Sequence, residues 1–132
     1  ALPILKGKIL GVQRATVHAA YAHKHFQGAT IKEYQTQDEI NQDLIAGRID
    51  ATQADALAIE RFLETDAGQS CCEVKGKVAD DPAILGKGIG VGLRKDDDAL
   101  KAKINKAIKT IRENGTYEAI TEKYFDFDIY GE

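Results

Sequence analysis

The chain contains no methionine and no tryptophan, and only two prolines and two cysteines in 132 residues. Without a methionine, Ala1 is not a translation start and reads as a processed or truncated end, with an upstream part missing. The two cysteines, Cys71 and Cys72, are neighbours. They read as two small apolar strand residues, because strand alternation sends adjacent side chains to opposite faces and a bond between neighbours closes a strained ring. A vicinal redox pair is the alternative. There is no excess of positive charge: 18 Lys and Arg stand against 21 Asp and Glu, for a net charge of −3. That balance removes the electrostatic footprint of a nucleic-acid binder. No apolar run approaches the roughly 20 residues that span a bilayer.

Catalytic and metal-binding patterns are missing as well. No nucleophile elbow, phosphate loop or pair of carboxylates at catalytic spacing is present. His18 and His25 share a face of a helix but His23 lies off it, and no thiolate or carboxylate completes a zinc spacing, so neither a metal nor another cofactor is expected. His18 is the single plausible acid-base group. What the chain does have is 43% hydrophobic residues, enough at this length to bury a core without disulfides or metals.

Those residues fall into an alternating pattern. Lys8 to Gln13 is a short apolar run, followed by Thr16 as a helix cap and by Val17, Ala20, Tyr21 and Phe26 at helical spacing. Thr30 to Tyr34 alternates as a strand. Thr36-Gln37-Asp38-Glu39 has the spacing of a capping box ahead of Ile40, Leu44 and Ile45, and Gly47 stops that helix. Ile49 to Ala54 is a third strand, and Asp55 can cap a helix burying Ala58, Ile59, Phe62 and Leu63. The β-α-β-α-β-α order predicts an α/β fold, a parallel-rich sheet flanked by helices. Strands are also expected over Gln69 to Gly76 and over Gly86 to Leu93, where glycine at every second position leaves one face bare. Asp96-Asp97-Asp98 opens a long helix striped by Leu100, Ile104, Ala107, Ile108 and Ile111. Gly115 ends it, Thr116 caps a last amphipathic helix, and Phe125 to Tyr130 reads as an extended tail.

In an open parallel sheet, ligands bind beyond the carboxyl ends of the strands, where helix N-termini present free N–H groups. Two such ends carry chemistry. Arg14-Ala15-Thr16-Val17-His18 offers a hydroxyl and amides to an anion such as a carboxylate. Gln53-Ala54-Asp55 offers a carboxylate to a cation such as an ammonium. Together they complement an amino-acid zwitterion, although Thr and Asp are also ordinary helix caps.

Four blocks carry a resemblance along the length of the chain: Gly11 to Thr16, Asp43 to Ala51 leading to Asp55, Gly90 to Asp97, and Asn114 to Glu118 with Lys123 to Gly131. They resemble the periplasmic amino-acid-binding proteins of ABC importers, and within these the lysine/arginine/ornithine, histidine and opine binders. The resemblance implies a periplasmic-binding-protein type II fold in which two α/β lobes clamp the ligand. Residues 1–90 then correspond to the second lobe, 91–95 to a returning hinge strand, and 96–132 to helices and a tail that complete the first lobe, the rest of which is absent.

The resemblance further implies that Asp55 binds the ligand's α-ammonium, that Thr16 and Val17 hold its α-carboxylate at the helix start, and that Gln13 and His18 line the pocket. Three positions depart from the family pattern. Ala15 replaces a glycine, Val17 a hydroxyl residue and His18 a glutamine. The implied function is capture of an amino acid, cationic or opine-like, in the periplasm and delivery to an ABC transporter permease, without catalysis. A receptor sensor domain and a binding-protein-derived dehydratase are the alternatives. The bare stripe of the last long helix implies a homodimer or segment exchange through residues 95–132.

Overall fold

The computed structural model describes residues 5–126 and 129–130. The elements run in the order β1 (Ile9–Gln13), α1 (Val17–His25), β2 (Thr30–Tyr34), α2 (Gln37–Ile45), β3 (Ala51–Thr52), α3 (Ala56–Leu63), α4 (Asp66–Cys71), α5 (Pro82–Leu85), α6 (Asp98–Glu113) and α7 (Thr116–Thr121). They form two compact units, residues 1–88 and 89–132.

In the first unit β1 is the middle strand of a three-stranded parallel sheet of order β2-β1-β3. A middle parallel strand is covered on both faces, so its buried positions, Leu10, Gly11 and Val12, carry no polar side chain. Leu10 and Val12 point to one face and are buried with Ala19, Tyr21, Ala22 and Phe26 around α1. Gly11 points to the other. A Cβ there would come within 2.7 Å of Ile49 Cδ1 and 2.9 Å of Ile40 Cγ2, so this glycine is set by close packing of α2 and the approach to β3. Thr36 and Glu39 make the expected capping box at the start of α2, and Gly47, at φ +67°, turns the chain after it.

Two buried or half-buried carboxylates tie helices to their surroundings. Asp43 on α2 accepts from Tyr34 Oη at 2.6 Å, Lys32 Nζ at 2.9 Å and Arg48 Nε at 2.7 Å. These donors, Tyr34 foremost, hold its carboxyl well below the usual range. Asp81, buried ahead of α5, accepts from Lys24 Nζ at 2.6 Å and is joined to His25 Nε2 at 2.7 Å, both at the end of α1. Tyr21 stacks on His25 with ring centroids 4.2 Å apart and donates from Oη to the Ala79 carbonyl at 2.8 Å. This clasp holds the segment after residue 78 against α1.

Several expected elements are corrected. Gln69 to Gly76 is not a strand: Thr65 accepts from the Gly68 amide and starts α4, which runs to Cys71. Cys71 and Cys72 are therefore not two small apolar strand residues. They stand where a helix gives way to extended chain, strand alternation does not separate them, and their sulfurs are joined in a disulfide between neighbours. Gly86 to Leu93 forms no strand either, because no ladder partner for it lies among the described residues; Gly86 and Gly88 take left-handed φ values of +73° and +113° after α5.

In the second unit α6 and α7 meet at Gly115, φ +77°, which occupies the cap position of α7 where Thr116 was expected. Tyr117 packs edge-on to Tyr130, and the Arg112 guanidinium lies 3.6 Å from the centre of the Tyr130 ring. No described residue of this unit is buried, and Leu100, Ile120 and Tyr124 are exposed. The tail expected over Phe125 to Tyr130 falls partly outside the described residues, at Phe127 and Asp128.

The Asp81 clasp makes stability depend on pH in a defined window. Hydrogen bonds from Lys24 and His25 bring the Asp81 carboxyl from 3.8 down to about 2. A depressed carboxylate contributes stability above its unfolded value and loses it as pH falls through the folded one. Urea midpoints are expected to fall between pH 4 and pH 2 in the native sequence and to fall less steeply in Asp81→Asn; parallel profiles would contradict the clasp.

Candidate functional site

The carboxyl ends of β1 and β3 place two helix starts side by side. After Gln13 the chain turns through Arg14 and Ala15, and the Arg14 amide closes the turn on the Tyr34 carbonyl at 2.9 Å. Ala15 adopts φ +58°, a left-handed conformation that a Cβ disfavours. Thr16 then caps α1: its hydroxyl donates to the Gln13 carbonyl at 2.6 Å and accepts from the Ala19 amide at 3.3 Å. The next two amides, of Val17 and His18, occupy the first positions of the helix, where no intrahelical acceptor exists. Amides so placed can donate to an anion.

Asp55 occupies the cap position of α3 and makes no side-chain cap hydrogen bond. Its carboxylate is 80% exposed and lies 3.4 Å, Oδ1 to Nε2, from His18, whose side chain is 16% exposed. Asp55 is thus turned away from the ordinary capping role and toward α1. His18 joins the two helix starts, and Thr16, Val17, His18 and Asp55 form one polar surface at the end of the sheet. Gln13 sits at the same end, but its carboxamide donates to the Gln35 carbonyl at 3.0 Å, beyond β2. Val17 leaves its apolar side chain 45% exposed beside the amides.

One residue of this end was not singled out as a contact in the sequence. Gln53 is buried, and neither atom of its carboxamide has a partner. The signal for it is a polar residue one step past β3, at a position where strand alternation turns the side chain into the core. Among the described residues no cluster of His, Cys, Asp or Glu is arranged to hold a metal ion.

A small parallel sheet with two helix starts of opposite electrostatic character at its carboxyl edge is the arrangement of the open α/β class, in which ligands bind at that edge. The sequence profile of the bacterial extracellular solute-binding proteins, family 3, matches residues 6–127, and the chain belongs to this family. It is 43% identical over 130 residues to the histidine-binding periplasmic protein of Salmonella typhimurium, covering 96% of this chain and 50% of that protein. It is 42% identical over 134 residues to the lysine/arginine/ornithine-binding periplasmic protein of Escherichia coli, covering 99% of this chain and 51% of that one. Among solved structures, a Salmonella typhimurium periplasmic binding protein studied for its high arginine specificity superimposes with a TM-score of 0.72 at 30% identity, covering 95% of this chain and 55% of the other. The chain spans about half the length of the curated relatives it matches. These findings agree with the α/β fold and with the family resemblance carried by the sequence blocks.

The left-handed Ala15 yields a direct test of the turn. Relief of the Cβ clash is worth about 1–2 kcal/mol, against about 0.4–1 kcal/mol of extra unfolded-chain entropy for glycine. Ala15→Gly is expected to raise the urea midpoint slightly and Ala15→Val to lower it; the reverse order would contradict the assigned turn.

Proposed function

We propose that this chain is the larger part of one lobe, with the closing helices of the other, of a solute-binding protein that captures an amino acid for an ABC importer. In this reading residues 1–90 form the second lobe, 91–95 the hinge connection, and 96–132 the helices and tail that join the first lobe. The observation that carries it is the pairing of the α1 start with an uncapped Asp55. Amides at Val17 and His18 suit an α-carboxylate, and Asp55 suits an α-ammonium. Thr16 shapes that start and adds its hydroxyl; Gln13 and His18 line the side-chain end of the pocket.

The names of the relatives favour a cationic amino acid and a periplasmic location; the family resemblance adds an opine-like ligand as an option and an ABC transporter permease as the receiving partner. Binding without turnover fits the site, whose imidazole is engaged by Asp55. Enclosure between two lobes supplies most of the affinity of such clefts, and the uncovered apolar side chains of α6 and α7 are the surface through which the other lobe, or a second copy exchanging residues 95–132, completes the fold.

Three measurements check this reading. By calorimetry with L-arginine, L-lysine or L-histidine, the 132-residue chain is expected to bind no tighter than about 1 mM, near −4 kcal/mol. In the protein completed with its first lobe, Asp55→Ala is expected to weaken binding tenfold or more, since a hydrogen bond to a charged group is worth about 1.5–3 kcal/mol. Micromolar binding by the monomeric chain, or an indifferent Asp55→Ala, would contradict the site. Light scattering of the chain at high concentration is expected to give a dimer or larger species through residues 95–132; a clean monomer would contradict that surface.

A further inference from the structure

The Cys71–Cys72 disulfide belongs neither to the sheet nor to the proposed ligand edge. A structural disulfide works by closing a loop, and in the chain-entropy account its contribution grows with the length of that loop. This one joins sequence neighbours, so it encloses no loop and fastens no element to another. Nor does α4 depend on it. Thr65 Oγ1 accepts from the Gly68 amide at 3.1 Å to start the helix, and the Cys72 amide closes its last turn on the Gly68 carbonyl at 3.0 Å. Gly68 itself seats α4 on α3, because a Cβ there would run into the Phe62 carbonyl.

Chemistry and position give the bond another character. A trans peptide holds neighbouring Cα atoms about 3.8 Å apart. Here they are 3.7 Å apart, short of the roughly 4.4–6.8 Å that disulfides usually span. A bridge across so short a span closes a small ring around the 71–72 peptide and is easier to reduce than an ordinary one. It is also within reach of a reductant: Cys71 is exposed at the end of α4, and Cys72 is half-buried.

Past Cys72 the chain has no helix or strand until α5. Glu73 and Lys75 pair with each other. The next anchors are Val78, packed against the cluster under α1, and Ala79 and Asp81 in the clasp. The ring therefore stands at the near end of a link, residues 72–77, that is held at its two ends.

We propose that Cys71 and Cys72 form a thiol–disulfide exchange site whose redox state sets the freedom of this link. The reductant is a dithiol. One of its thiolates attacks Cys71 Sγ, the Sγ–Sγ bond breaks, and Cys72 leaves as a thiolate that takes up a proton. The second thiolate of the reductant then attacks the mixed disulfide and releases Cys71, which takes up the other proton. The reductant ends as its own disulfide and the pair as two thiols, a transfer of two electrons. Opening the ring frees the torsions on either side of the 71–72 peptide, while the sheet and the two helix starts keep their contacts. This inference does not rest on the reading of Asp55.

The test uses the folded 132-residue chain without denaturant. Millimolar dithiothreitol at neutral pH is expected to free both thiols together, read as the mass of two added alkyl groups after iodoacetamide, and excess oxidised glutathione is expected to restore the disulfide. On reduction, amide hydrogen exchange is expected to quicken over residues 72–77 and to stay unchanged over β1 and α1, with the urea midpoint unmoved. The double variant Cys71→Ser with Cys72→Ser is expected to match the reduced form. A disulfide that reacts only once urea has unfolded the chain overturns the exchange site. Hydrogen exchange over residues 72–77 that ignores the redox state, or a urea midpoint that falls on reduction, overturns the switch, the latter by showing a structural bond instead.

Discussion

The burial of β1 on both faces is the constraint from which the first unit follows. Leu10 and Val12 are covered by α1, and Gly11 admits Ile40 and Ile49 so closely that no side chain fits between them. With β1 in the middle, β2 and β3 lie parallel to it, and the helices that follow β1 and β3 start at one edge of the sheet. The site is a consequence of this arrangement. Free amides at one helix start and a carboxylate at the next come together because both strands end there, and His18 spans the gap.

The electrostatics of that edge are open on one side and dry on the other. Asp55 is largely exposed and keeps its carboxylate off its own helix, while Gln53 and the inner nitrogen of His18 are buried. Other polar contacts that hold the helices of the first unit lie elsewhere. The Asp43 and Asp81 clasps tie α2 to β2 and to the turn after α2, and α1 to the chain after residue 78, away from the two helix starts. The edge proposed to meet a ligand is therefore separate from the clasps at Asp43 and Asp81, and substitutions in one are expected to leave the other intact.

Much of this was legible in the residues. The capping box at Thr36, the Thr16 cap and the turn at Gly47 are local signals, and local signals specify helix ends; of the stripe expected for α1, Tyr21 and Phe26 are buried whereas Val17 and Ala20 are exposed. The parallel order followed from the alternation of elements, and the two helix starts from the rule that ligands gather at carboxyl edges. The misreadings have a different physical origin. Gln69 to Gly76 reads as a strand because a brief run does not distinguish a strand from a short helix, and Thr65 is the cap that decides it. That error carried with it the reading of Cys71 and Cys72. Gly86 to Leu93 alternates as a strand does, but a strand exists only with a partner to bond to. Gln53 stands in the sequence only as a neighbour of Asp55, because its burial depends on which face it turns to, and the ladder register is what sets that.

The central claim is that the α1 start and Asp55 hold the two ends of one amino acid. Its most direct test is a titration of the purified protein with L-arginine into the millimolar range, followed by backbone amide resonances. The account predicts saturable shifts at Val17, His18 and the residues beside Asp55, lost together in Asp55→Ala, with the Asp43 and Asp81 clasps unmoved. Shifts that scatter over the surface without saturating, or that gather away from the carboxyl edge of the sheet, would contradict it.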